Sequence, residues 1–158
     1  MRLPAAAPVH LTYCLNVFPG DSFADQNAAA RGWNRPERPL GLGLWLGDTA
    51  AREAEEGGAA AAWSDWCRAH GRYVFTLNGF PFGRFHGAPV KASVYRPDWT
   101  EPARRDHTMR LARLLAGWLP EHVPGSISTV PIGYAPDYEG PAARARALCA
   151  AAPHLVEV

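Results

Sequence analysis

The sequence predicts an α/β domain built of parallel β/α units. Two observations carry this reading. Four β-rich segments alternate with four helical ones along the chain, and each β-rich segment ends on a Gly or Pro turn signal. Strands that alternate with helices pair in parallel through right-handed crossovers.

The first strand spans residues 9–17 and stops at Phe18-Pro19-Gly20. A short helix over 22–30 follows. The second strand, 40–46, alternates Leu with Gly, which implies close backbone approach on one face. The Ala- and Glu-rich stretch 49–70 reads as helix, divided at Gly57-Gly58 and stopped by Gly71. The third strand, 72–78, is aromatic and β-branched. The clearest helix covers 101–119: Thr100 can cap it, Pro102 suits its first turn, and Leu111, Leu114, Leu115 and Trp118 fall at i, i+3, i+4 and i+7. Asp106, Arg110 and Arg113 take the other side. The fourth strand, 125–132, should lose its ladder at Pro131. A last helix begins at 139 and runs to 152 or beyond Pro153. Four such units in 158 residues make either an open sheet or half of a closed eight-stranded barrel, which needs about 250 residues.

Composition narrows the function. A chain that is 47% hydrophobic and 20% charged suits one globular domain, and no apolar run is long enough for a membrane helix. The start of the chain does not read as a secretory signal. A net charge of +1 gives no general pull on nucleic acid or on an anionic membrane. Three dispersed cysteines, Cys14, Cys67 and Cys149, with no C-x-x-C, argue against a disulfide framework or a zinc site and for a reducing cytoplasm. Phosphate-loop, dinucleotide and nucleophile-elbow motifs are absent from the sequence.

In parallel sheets chemistry gathers at the carboxyl ends of the strands. Two of these ends are long, and residues 79–100 are rich in aromatics and glycine, the composition of an ordered binding loop. Asn78 ends a strand, where its amide can donate to and accept from a substrate hydroxyl. Phe80, Phe82 and Phe85 offer an apolar wall. His86 and Lys91, the chain's one lysine beside 15 arginines, are the strong acid–base or phosphate-binding groups there, with Tyr95 and Asp98 nearby. The same stretch also reads as a structured loop whose aromatics simply pack. Ser126, Ser128 and Thr129 offer hydroxyls at the fourth strand end. His10 reads as a hydrogen-bonded strand residue, Cys14 as buried, and His70, His107 and His122 as solvated. No His, Asp or Glu set has metal spacing.

Several blocks are more specific. His10-Leu11-Thr12-Tyr13-Cys14, Asn16 with Pro19-Gly20, the run Phe75 to Gly83 with Phe85-His86-Gly87 and Val90-Lys91, Val94-Tyr95-Arg96-Pro97-Asp98-Trp99, and Gly125 to Pro131 occur in an order and spacing that resemble the EboE-type metabolite traffic proteins. These are similar to the xylose-isomerase-like barrels of sugar isomerases, sugar-phosphate epimerases and endonuclease IV. Phe18 departs from the pattern, which has a His in that block, and this weakens a metal or acid–base role at the first strand end. The resemblance implies that residues 1–158 are the amino-terminal half of a (β/α)8 barrel and that the chain is truncated. It implies a divalent metal held mainly by carboxylates beyond residue 158, and no metal ligand within the chain. It implies a small polyhydroxylated or sugar-phosphate-like metabolite as ligand, in the synthesis or export of a secondary-metabolite precursor. Other proteins of the same gene cluster are implied as partners. His86 and Lys91 are the expected catalytic groups; Asn16, Asn78, Phe80, Tyr95, Asp98 and Thr129 are the expected substrate contacts. Whether the protein catalyses an isomerisation or only escorts its ligand stays open at this point.

Overall fold

The computed structural model describes residues 2–3, 9–32, 39–84 and 91–158, with residues 2, 3 and 91 described by their backbone alone. Strands β1 (Arg2–Leu3) and β2 (Val9–His10) form a small antiparallel pair. The main sheet has four parallel strands: β3 (Thr12–Cys14), β4 (Leu40–Trp45), β5 (Arg72–Asn78) and β6 (Ser126–Ser128). Helices α1 (Phe23–Gly32), α2 (Asp48–Glu55), α3 (Ala59–Ala69) and α4 (Pro102–Trp118) fall between the strands, and α5 (Gly140–Val156) follows the last. Neighbours in the main sheet are consecutive in the chain. A doubly wound sheet reverses its strand order near the middle, and this sheet does not. The expected α/β class is therefore present, in an order that a partial barrel shares.

The hydrophobic pattern explains the layering. Leu42 and Leu44 of β4, Val74 and Leu77 of β5 and Ile127 of β6 point to one face. They pack there against Phe23, Ala51, Ala54 and Trp63 of the first three helices and Leu111, Leu115 and Trp118 of α4. The rings of Phe23 and Trp118 stack at 6.0 Å, and the Trp118 indole N–H donates to the Ala60 carbonyl at 3.0 Å. The opposite face carries the hydroxyls of Thr12, Thr76 and Ser126 and, toward the amino ends of the strands, the stacked rings of Tyr73 and Phe75. Thr12 donates to the Gly41 carbonyl at 2.9 Å, and Ser126 donates to Thr76 Oγ1 at 2.9 Å. A methyl group on Gly43 would come within 3.2 Å of Thr76 Cγ2, which is why this strand alternates leucine with glycine. The register slips between Leu42 and Gly43, leaving Phe75 as an extra residue, and a methyl group on Gly41 would lie 2.5 Å from its ring.

Several boundaries differ from the pattern reading. The expected strand over 9–17 breaks into β2, β3 and a 3-10 turn, Leu15–Val17, closed by the Phe18 N–H donating to the Leu15 carbonyl at 3.1 Å. This turn buries Leu15 in the core. The fourth strand ends at Ser128, before Pro131, because Val130 turns away to bury against Trp99, whose indole N–H donates to the Val130 carbonyl at 3.1 Å. Gly57 and Gly58 have φ of 55° and 78° and do divide α2 from α3. Thr100 does not cap α4; its hydroxyl donates to Asp98 Oδ1 at 2.6 Å. Helix α5 runs through Pro153 to Val156.

Candidate functional site

The carboxyl ends of β3, β5 and β6 are joined by side chains. Ser128 donates to Asn78 Oδ1 at 2.8 Å, and Asn78 Nδ2 donates to Cys14 Sγ at 2.8 Å. The parallel register sets Asn78 opposite Ser128 and, on its other side, opposite Trp45, whereas Cys14 pairs with Gly43, so the pairing fixes the Ser128 contact and the Asn78 side chain spans β4 to reach Cys14. Asn78 and Cys14 are half-buried and Ser128 is exposed, so the chain of polar atoms runs from the sheet face into solvent. Thr129, also exposed, extends it by one residue; Asn16, half-buried, lies in the 3-10 turn after β3.

The loop after β5 is held from beneath. The Gly79 N–H donates to the Ser128 carbonyl at 2.9 Å, the Trp45 indole to the Pro81 carbonyl at 3.1 Å, and the Asp48 N–H to the Phe82 carbonyl at 2.8 Å. Arg104, fully buried on α4, reaches up with Nε to the Pro97 carbonyl at 2.9 Å and with one terminal nitrogen to the Gly79 carbonyl at 2.7 Å. One guanidinium thus ties both loops of the 79–100 stretch to a helix. Burial depresses its pKa to about 10, partly offset by Asp98 and Glu101. Beside it, His107 is fully buried, with its ring edge-on to Phe82 at 5.0 Å and no hydrogen bond to either nitrogen. Burial, then the nearby Arg104 charge, push the His107 imidazole down to about 4. The expectation that His107 is solvated is overturned: it precedes Leu111 by one helical turn and shares its buried stripe.

Phe80 and Tyr95 lie together, ring centres 6.2 Å apart, and Tyr95 stacks on Tyr134 at 4.9 Å. Phe80 also packs against the cluster of Trp99, Val130 and Ala151. A pocket of about 220 Å³ opens at the carboxyl end of β4, lined by Asp21, Trp45, Gly47, Asp48, Phe82 and Arg84 among others. Arg84 and Asp21 pair across it at 2.9 Å.

Asp98 sits apart from the Asn78 chain. It is fully buried, and its own chain occupies both oxygens: Thr100 gives a backbone and a hydroxyl donor to Oδ1, while the Tyr138 hydroxyl donates to Oδ2 at 2.6 Å. Burial works to raise this carboxyl, but the hydrogen bonds and the Arg96 charge at 3.3 Å outweigh it and hold it below the usual range. Arg96 also binds Glu101 and Asp137, so the cluster fastens the 135–137 turn to the start of α4. A methyl group on Gly133 would lie 2.2 Å from the Tyr138 ring, which makes this glycine part of the fastening.

Of the expected residues, the structure therefore brings together Asn78 and Thr129 at one strand end and Phe80 with Tyr95 beside it. His86 lies outside the described residues, as does the side chain of Lys91, whose backbone opens the 3-10 turn Lys91–Tyr95. Cys14, expected buried, is instead a half-exposed partner of Asn78. His10, whose Nδ1 lies 3.1 Å from the Tyr73 hydroxyl, belongs to the amino ends of the strands. Among the described residues no group of 3 or more His, Cys, Asp or Glu could hold a metal ion, and no helix is long and apolar enough to cross a membrane. Comparison with protein-family models, with curated proteins and with solved structures finds no match to this chain.

Proposed function

We propose that this chain is one wall of an EboE-like β/α barrel that binds a small polyhydroxylated or sugar-phosphate-like metabolite at the carboxyl ends of its strands. The observation that carries the reading is the Ser128–Asn78–Cys14 chain, which presents a hydroxyl and an amide to solvent at a strand end. An amide and a hydroxyl together match vicinal hydroxyl groups, each able to donate and accept. Phe80 and Tyr95 supply an apolar surface for the C–H face of such a ligand. Thr129 and Asn16 extend the polar rim, and Asp98 positions the loop without spending its charge on the ligand. Lys91 holds the phosphate and His86 carries the proton in this reading, as the resemblance implies. The protein then works in the cytoplasm, with other proteins of its gene cluster as partners.

Isomerisation or epimerisation in this class moves a proton beside a carbonyl that a metal polarises. The described residues do not form a metal set, so the metal and its carboxylates belong elsewhere in this proposal. A second reading, an escort that holds the metabolite without chemistry, is favoured by one observation: the buried Asp98 carboxylate is saturated by its own chain.

Calorimetric titration with pentoses, pentitols and their phosphates tests the binding. Phosphorylated ligands are expected to bind, and Asn78→Ala to weaken all of them about tenfold, roughly 1.4 kcal/mol. Lys91→Ala should weaken the phosphorylated ligands alone. Affinities unchanged in both variants, and in His86→Ala, would sink the proposal. Turnover of a bound ligand by the metal-loaded protein decides between enzyme and escort.

A further inference from the structure

The pocket at the carboxyl end of β4 has fixed walls. The Trp45 indole donates to the Pro81 carbonyl at 3.1 Å, and the Asp48 N–H to the Phe82 carbonyl at 2.8 Å. Against the Phe82 ring stand His107, edge-on at 5.0 Å, and the Arg104 guanidinium, 5.6 Å from the ring centre. A methyl group on Gly47 would lie 2.9 Å from the Phe82 carbonyl oxygen, so a glycine lets the two loops come this close. Trp45 stands opposite Asn78 in the register and on the same face of the sheet, so the pocket adjoins the Ser128–Asn78–Cys14 chain. Drug-sized ligands fill roughly 300–1,000 Å³, and a cavity of about 220 Å³ suits a smaller molecule.

The polar groups of this pocket are unevenly used. Asp48 is engaged: Arg52 meets its Oδ2 at 2.8 Å, and Arg110 lies 3.3 Å from its Oδ1. The Asp21–Arg84 pair is only half used. Arg84 donates to Asp21 Oδ2 through Nε, while Asp21 Oδ1 is shielded from solvent and has no hydrogen-bond partner among the described residues. A buried carboxylate oxygen without a donor costs free energy until something supplies one. The Arg84 side chain is 73% exposed, which leaves its two terminal nitrogens open to a ligand. Thr49, also exposed, adds a hydroxyl at the rim.

We propose that this pocket takes a vicinal diol of a furanose, with Asp21 and Arg84 as the residues that select for it. A spare acceptor beside spare donors matches two adjacent hydroxyls, each able to donate and accept. One hydroxyl donates to Asp21 Oδ1, its neighbour accepts from a terminal nitrogen of Arg84, and Phe82 supplies the apolar wall. An anion would meet the Asp21 charge and a cation the Arg84 charge, so a neutral hydroxyl pair fits better than either. On the proposed function, on which this assignment rests, the same ligand meets Asn78 with its other groups.

Calorimetric titration with ribose 5-phosphate and 2-deoxyribose 5-phosphate tests it, because a furanose without its C2 hydroxyl has no vicinal pair. Asp21→Ala and Arg84→Ala should each weaken ribose 5-phosphate about tenfold and leave 2-deoxyribose 5-phosphate nearly unchanged. Both variants should keep the fold by circular dichroism, since an ion pair this exposed contributes little stability. Equal losses for the two ligands, or unchanged affinities for both, would overturn the assignment. If Asn78→Ala alone weakens binding, the proposed function stands and the diol pocket falls. If the pocket variants alone weaken ribose 5-phosphate, the diol pocket stands and the Asn78 contact falls. A parent protein that binds neither ligand at millimolar concentration overturns both.

Discussion

His107 shows how one buried side chain sets a property of the whole protein. The folded state holds its imidazole at about 4, below the 6.5 of a free one, because burial and the Arg104 and Arg110 charges oppose protonation more than Asp48 assists it. Between those two values the unfolded chain takes up a proton that the folded chain refuses. The stability linked to His107 is complete above its unfolded pKa and drains away as pH falls toward about 4. From pH 7 to pH 5 that loss is about 2 kcal/mol. Urea unfolding at the two pH values should show it, and His107→Leu should remove most of the difference. An equal slope in the variant would mean that other groups carry it. The sequence hid this residue only partly. Reading the Leu111 stripe one and two turns toward the amino end reaches His107, Thr108 and Arg104, all buried. The polarity of His107, not its spacing, argued for solvent.

At the scale of elements, α4 positions the loops of the candidate site. Its Arg104 holds the Gly79 and Pro97 carbonyls, so Arg104→Leu leaves two acceptors without their donor. The expected cost is about 2–3 kcal/mol, with faster hydrogen exchange over 79–84 than over β4. Protection unchanged in that loop would show that Arg104 does not anchor it. Gly79→Ala probes the same junction from the strand side, since the new methyl group would lie 2.6 Å from Leu111 Cδ1 and 3.1 Å from the Ser128 carbonyl oxygen. The backbone oxygen cannot move aside as a side chain can, and a loss of about 1–3 kcal/mol in urea unfolding is expected. Strand β5 and the division of α2 from α3 were legible in the sequence, because local pattern and glycine punctuation decide them. Strand β6 was read too long, because its end depends on Val130 meeting Trp99, about thirty residues away in the chain.

For the whole molecule, the alternation of strands and helices predicts the α/β class and parallel pairing. It does not predict neighbour order, which depends on contacts between distant segments. The structure supplies that order, β3-β4-β5-β6, and with it the line of Cys14, Asn78 and Ser128 across the sheet. Asn78 could be picked out as a strand-end amide; its link to Cys14 could not, since 64 positions separate them. The proposed function requires that this line of polar groups meet a ligand. Amide chemical-shift mapping of the isotope-labelled protein with a pentose phosphate tests that contact. Shifts are expected to concentrate at Cys14, Asn78, Gly79, Ser128 and Thr129. Shifts confined to the amino ends of the strands around His10 and Tyr73, or none at millimolar ligand, would contradict it.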